Sequence, residues 1–166
     1  MLYAVACIDE FTYGVSYQNK ARYQYIEYMK FFEDRIRQNR VVVTPAGYRE
    51  FKKLDIPVSE IWIVTDDFYF KPSNKNEKIV SIEDVIRQTN TEDKTYIIGG
   101  SMLYHIFIPH IQRMYITEVI CDFEKIPVFD AFFPRFKKDR WEWGIIDEYQ
   151  VEDGNRLLFL RYTLKT

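Results

Sequence analysis

Apolar positions along this chain follow two rhythms: short continuous runs, and stripes at helical spacing. Leu2–Ile8 is an apolar run of the kind that forms a buried strand. Asp9–Asn19 mixes polar and aromatic residues around Gly14 and reads as a loop. Across Tyr25–Gln38, Ile26, Met29, Phe32 and Ile36 recur at helical spacing, which predicts a helix with that stripe buried. Arg40–Thr44 carries three consecutive valines and reads as a buried strand, stopped by Pro45 and Gly47, with a short helix expected over Tyr48–Leu54. Glu60–Thr65 is the next apolar strand, and Asp66–Lys78, with Pro72, Ser73 and Asn74, reads as a loop. Ser81 opens a helix through Arg87, with Ser81 and Asp84 spaced as a capping box.

The second half repeats the alternation and then changes it. Thr95–Ile98 is a short strand that runs into Gly99-Gly100-Ser101 and a helix over Met102–Ile108, ended by Pro109. Met114–Cys121 is a longer strand. Trp141–Tyr149 and Arg156–Leu164 are two more, joined through Glu152-Asp153-Gly154-Asn155 in a hairpin pattern. Strands alternating with helices, followed by a run of strands, predict an α/β fold. Its sheet has about eight strands, mostly parallel, with helices on both faces and an antiparallel C-terminal hairpin at one edge. No repeat or linker interrupts the pattern, so residues 1–166 read as one domain.

Composition narrows the function classes. Hydrophobic residues at 47% and charged residues at 29% support a packed core and exclude a disordered chain. A net charge of -2 gives no reason to expect nucleic acid or a membrane surface as partner. No apolar run is long enough to span a bilayer, and Met1–Cys7 shows no basic leader. Cys7 and Cys121 each lie in an apolar stretch, as buried thiols in a reducing compartment do, so a cytoplasmic monomer is expected. His105 and His110 have no cysteine beside them, and no metal site is expected. Aromatics at 17% suit either core filling or the walls of a pocket for a flat ring.

Two places could carry chemistry. The strand–Gly-Gly–helix junction at Tyr96–Tyr104 is either a plain tight turn or a cradle where backbone approaches a phosphate at a helix start. Glu27 lies between Ile26 and Tyr28, with Phe31 four positions on. It is either a solvent-facing helix glutamate or a carboxylate whose ionised form its apolar neighbours disfavour, able to hold a proton near neutral pH.

Ile97-Ile98-Gly99-Gly100-Ser101-Met102-Leu103-Tyr104, then Phe107-Ile108-Pro109, then Met114-Tyr115-Ile116-Thr117, resembles the C-terminal half of dihydrofolate reductases. Phe132-Phe133-Pro134 and the closing hairpin continue the likeness. Ala4-Val5-Ala6 through Gly14 is similar to the family's first strand and mobile loop, and Ile26-Glu27-Tyr28-Met29-Lys30-Phe31 to its acidic helix. The resemblance implies a dihydrofolate-reductase-like fold and transfer of hydride from NADPH or NADH to dihydrofolate, giving tetrahydrofolate. Glu27 would bond the pterin and help deliver the proton, supported by Thr117. Phe31 would pack on the substrate rings, and Ala6 and Ile98 would line the nicotinamide end. Gly14, Gly99 and Gly100 would contact cofactor, the last two through a cis peptide. Ser101 and Met102 would begin the helix over the pyrophosphate, and Tyr104 would sit beside the nicotinamide. Thr65 and Asp66 would stand near the adenosine ribose.

The departures are as specific. The family's cofactor-clamping Arg and Thr after the second strand are replaced by Thr44-Pro45-Ala46-Gly47-Tyr48. Asp66 stands where hydroxyl residues usually take the 2′-phosphate, and a carboxylate there suits a bare ribose better. Ile56–Glu60 has no Arg for the folate carboxylate, a contact Ser59 cannot replace. Lys20-Ala21-Arg22-Tyr23 stands near the place of the usual Pro-Trp pair. Lys52, Lys53, Arg35 and Arg49 are the candidate substitutes for the carboxylate clamp, and Lys71, Lys75 and Lys78 for the phosphate clamp. The alternatives to dihydrofolate reduction are reduction of another pterin-like ring and a non-catalytic binding protein on the same scaffold. The aromatic stretches Tyr23–Tyr28 and Phe68–Phe70 fit the last.

Overall fold

The computed structural model describes residues 1–67 and 69–166, so Phe68 of the second aromatic stretch lies outside the described residues. In chain order the strands are β1 (Leu2–Asp9), β2 (Gly14–Tyr17), β3 (Lys20–Ala21), β4 (Arg40–Val43), β5 (Glu60–Val64), β6 (Glu77–Val80), β7 (Thr95–Gly99), β8 (Arg113–Ile120), β9 (Ala131–Phe132), β10 (Trp141–Gln150) and β11 (Arg156–Leu164). The helices are α1 (Ile26–Ile36), α2 (Pro45–Lys52), α3 (Ile82–Ile86) and α4 (Ser101–Phe107). Eight strands form one sheet in the order β10-β11-β8-β1-β7-β4-β5-β6. Pairings from β8 to β6 are parallel, and β8–β11 and β11–β10 are antiparallel. The α/β architecture, the mostly parallel eight-stranded sheet and the closing hairpin expected from the sequence are all present.

The sheet is covered on both faces, which is why its central strands are continuously apolar. Every residue of β1 is buried. On one face Tyr28, Phe32 and Ile36 of α1 and Tyr48 and Phe51 of α2 pack on Tyr3, Val5 and Cys7. On the other, Val85 of α3 and Leu103, Tyr104 and Phe107 of α4 pack on Leu2, Ala4, Ala6 and Ile97. The Ser81–Asp84 capping box forms as spaced, with both reciprocal hydrogen bonds made.

Four details differ from the sequence reading. Helix α2 starts at Pro45, because Thr44 caps it by accepting from Gly47 N and proline is suited to the first helical turn. The supposed loop Asp66–Lys78 ends in β6, a polar edge strand whose charged residues hide its pattern. The Asp9–Asn19 loop contains β2, which pairs with β3 and β9 in a small second sheet. Ile26, expected in the buried stripe of α1, is 79% exposed.

Candidate active site

The site opens where the two middle strands part. Between β1 and β7 the register ends at Ala4 opposite Ile97. Beyond it β1 follows β8 as far as Asp9, while β7 follows β4 to Gly99. Such a divergence at strand C-termini makes the usual ligand crevice of an open α/β sheet. The Tyr104 hydroxyl spans the gap, donating to the Val5 carbonyl at 2.7 Å. A cleft of about 290 Å³ lies here between α1, α2 and the Gly99–Gly100 turn.

Thr44 holds the turn in place. Its backbone N donates to Gly99 O at 3.0 Å, and its Oγ1 accepts from Gly100 N and Gly47 N, each at 3.0 Å. The Gly99–Gly100 peptide is cis, as the resemblance implied, and Gly99 has φ 145°, a conformation that favours glycine. A Cβ on Gly47 would stand 2.8 Å from the backbone of Gly99 and Gly100, so glycine there lets α2 pack directly on the turn.

The opposite wall is aromatic and aliphatic: Tyr28, Met29 and Phe32 from α1, with Phe51, Leu54 and Tyr23. The Tyr28 and Phe32 rings stack 6.1 Å apart at 16°. Burial, together with the Cys7 thiol and Tyr104 phenol, holds the Tyr28 phenol well above its ordinary range, so it keeps its proton. Tyr23 is fixed by donating to Asp9 Oδ1 at 3.1 Å. Asp9 Oδ2 accepts from the backbone N of Phe11 and Thr12 and from Thr12 Oγ1, which fastens the loop after β1 to the same anchor. At the cleft margin Glu50 and Lys53 are paired at 2.9 Å.

Of the residues singled out by sequence, Ile98, Gly99, Gly100, Ser101 and Tyr104 line the cleft together. Met102 is 61% exposed and stands outside the lining. Gly14 packs under the Phe129 ring, while its neighbours Val15 and Ser16 reach the cleft. Ala6 is buried on the α4 face of the sheet. Thr65 and Asp66 follow β5 outside the lining, and Asp66 is exposed.

Glu27 and Phe31 occupy a different stripe of α1 from the one at the cleft. Phe31 packs on Phe159 at 4.7 Å and on Tyr115 at 6.1 Å. The Tyr149 phenol of β10 donates to Asp147 Oδ2 at 2.8 Å, which raises it above its ordinary range, with the Glu27 charge the smallest contributor. Thr117 is fully buried in register between Cys7 and Phe159. Among the described residues it shares no hydrogen bond with Glu27, and both Thr117 Oγ1 and Glu27 Oε2 are buried without a partner. Position for position, Tyr28 and Phe32 face the cleft where Glu27 and Phe31 were expected. Sequence reasoning missed these two, Thr44 and Gly47. Thr44-Pro45 was legible as a helix N-cap followed by its proline.

Three of the seven candidate substitute cations, Lys52, Lys53 and Lys78, are already held in ion pairs. Lys52 Nζ sits 2.7 Å from Glu77 Oε2, and Lys78 pairs with Glu60 at 2.9 Å. Glu77 is almost completely buried, which resists its ionisation. Lys52, the Tyr48 hydroxyl, the Ser73 N–H and the Asn74 amide outweigh that and bring it down to about 2. This buried knot ties the segment before β6 to α2. Arg35 lies over the Phe31 ring at 4.6 Å and does not line the cleft.

Compared with known proteins, residues 1–165 match the family described as dihydrofolate reductase. This chain belongs to the dihydrofolate reductase family. It is 36% identical over 78 residues to the dihydrofolate reductase of Staphylococcus haemolyticus, covering 44% of this chain and 45% of that one. It is 29% identical over 86 residues to that of Bacillus subtilis, covering 49% of each. To that of Buchnera aphidicola it is 23% identical over 126 residues, covering 74% of this chain and 73% of that one. The chain thus spans about half the length of the first two relatives. On the α1 wall of its cleft this chain presents a phenol, Tyr28, and on the α2 wall a carboxylate, Glu50, that is paired with Lys53.

Proposed function

We propose that this chain is a nicotinamide-dependent reductase of a dihydropterin, with dihydrofolate as substrate by its family relationship. The observation that carries the reading is the cleft at the β1–β7 divergence. It joins a glycine turn on one side to a wall of Tyr28, Met29, Phe32 and Phe51 on the other. A flat ring fits against Tyr28 and Phe32, which already stack on each other.

A nicotinamide dinucleotide fits the glycine side. No atom lies within 4 Å of where a Cβ on Gly99 would stand, so the backbone there is open to close approach. Gly99, Gly100 and Ser101 would hold the nicotinamide and pyrophosphate end, with Ile98 and Tyr104 beside the ring. When bound, the cofactor supplies hydride. The exposed Asp66 disfavours a 2′-phosphate, so the usual preference for NADPH over NADH is weakened. The chain's own contribution is to orient the rings against its apolar wall and offer the Tyr28 hydroxyl as a hydrogen-bond donor. A phenol held above its ordinary range is too weak an acid to deliver a proton at neutral pH, so the ring proton comes from hydronium in the solvent that reaches the cleft. The unlinked Cys7 and Cys121 support a reducing, cytoplasmic setting.

The same phenol favours one second reading, in which the cleft binds a pterin without reducing it. Following reduced nicotinamide consumption with dihydrofolate, beside equilibrium binding of each ligand, separates the two. Turnover supports the reductase. Binding of both ligands with no turnover at any pH supports the binding protein.

A further inference from the structure

At the end of the sheet away from the cleft, on the α1 face, two buried arginine nitrogens have no partner: Arg35 Nε and Arg113 Nε. Arg35 lies over the Tyr115 ring at 5.1 Å, and Arg113 over the Tyr3 ring at 5.7 Å. Those two rings are 6.5 Å apart, and Tyr96 packs on Tyr3 at 5.3 Å. Both guanidiniums therefore lie against one cluster of three packed tyrosine rings. Arg161 stands opposite Tyr115 in register and therefore on the same face. Among the described residues none of these three arginines forms an ion pair with a carboxylate. Asp34, next to Arg35 on α1, and Glu142, opposite Thr163 at the sheet edge, are the nearby acids by sequence and register, and neither makes one.

Three guanidiniums with no acid of their own are an unbalanced arrangement. Arg35 and Arg113 are partly buried, which makes their unpaired charges more costly than that of the exposed Arg161. The aromatic rings offset some of that through cation–π contact, but they cannot accept the planar, paired hydrogen bonds that a guanidinium makes best. An oxyanion can, and phosphate is suited because its charge and its several oxygens answer more than one guanidinium at once. The cleft lies elsewhere: Arg35 is seven residues beyond Tyr28 on α1, about 10 Å along the helix axis.

We propose that Arg35, Arg113 and Arg161, with Tyr3, Tyr96 and Tyr115, form a second site that binds a phosphate or phosphate ester, separate from the reductase cleft. The site depends on no assumption about catalysis. Its test is a titration of the ¹⁵N-labelled protein with inorganic phosphate, and separately with glycerol phosphate, against chloride at matched ionic strength. The arginine Nε–Hε signals are the readout. Saturable shifts of the Arg35 and Arg113 signals are expected. Arg113→Gln should weaken phosphate binding by about tenfold or more, the loss of a charge-assisted contact. Arg161→Gln changes only an exposed side chain and should weaken it less, which keeps the test usable if the Arg113 variant does not fold. A response to glycerol phosphate alone would identify an ester as the ligand. Shifts that never saturate, or that persist equally in both variants, would overturn the proposal.

Discussion

Replacing Tyr28 by aspartate tests the unusual wall of the cleft from both sides, stability and chemistry. The ring is 8% exposed and stacks on Phe32 at 6.1 Å. Losing the aromatic pair costs about 0.5–1.5 kcal/mol. Losing the burial of the ring adds roughly 1.5–3 kcal/mol. Together they lower the thermal midpoint by on the order of 5–15 °C for a chain of this size. The same change puts a carboxyl group at the cleft, where apolar neighbours disfavour its ionised form and raise its proton-holding range towards neutrality. A positioned general acid accelerates proton transfer by about 10²–10⁴-fold. Tyr28→Asp should therefore be less stable than the parent and reduce dihydrofolate faster near neutral pH. Tyr28→Phe, which keeps the ring and its stack, should change turnover by less than about tenfold. The assay is consumption of reduced nicotinamide with dihydrofolate, with thermal melts to establish folding and cofactor titration to establish binding. A Tyr28→Asp protein that folds, binds cofactor and turns over no faster than the parent would refute the placement of Tyr28 at the reacting ring.

Glu27→Gln should leave turnover within a few-fold of the parent, since Glu27 stands outside the cleft lining; loss of most activity, measured in the same assay, would restore it as the proton donor. Thr44→Val removes the acceptor that holds Gly47 N and Gly100 N, costs about 1–3 kcal/mol by denaturant melts, and weakens cofactor binding more than dihydrofolate binding. For Glu77, whose folded value near 2 lies below its unfolded one, the stabilisation is complete above the unfolded carboxylate range. It is lost as pH falls through about 4 towards 2. Glu77→Gln should flatten that part of the stability–pH curve. Asp66→Ser should raise the NADPH/NADH ratio of kcat/KM; an unchanged ratio would mean that Asp66 does not face the ribose.

The sheet and its glycine turn were legible because their signals are local. A valine run, a Gly-Gly pair after an apolar strand and a turn between two long strands each specify one backbone conformation with little help from elsewhere. The stripe of α1 that faces the cleft was not. Glu27 and Phe31, and Tyr28 and Phe32, are both four apart, and apolar residues lie on both stripes, so helical periodicity alone fits either rotation. What decides it is tertiary: Phe31 finds Phe159 and Tyr115 on the antiparallel side of the sheet, which turns Tyr28 and Phe32 inward. Strand β6 was missed for a related reason. As an edge strand it carries Glu77 and Lys78, and its charges answer Lys52 and Glu60, contacts visible only in three dimensions. Pro45 reads as a strand stop and a helix start at once, and Thr44 before it marks the second sense.

The most direct test of the central claim is the steady-state rate of the unmodified chain with dihydrofolate and either NADPH or NADH, followed across pH. With solvent hydronium as the proton source and no acid on the α1 wall, turnover should be measurable and should fall about tenfold per unit rise in pH through the neutral range, without a plateau set by an ionising side chain. A chain that binds both ligands yet consumes no reduced nicotinamide at any pH would contradict it.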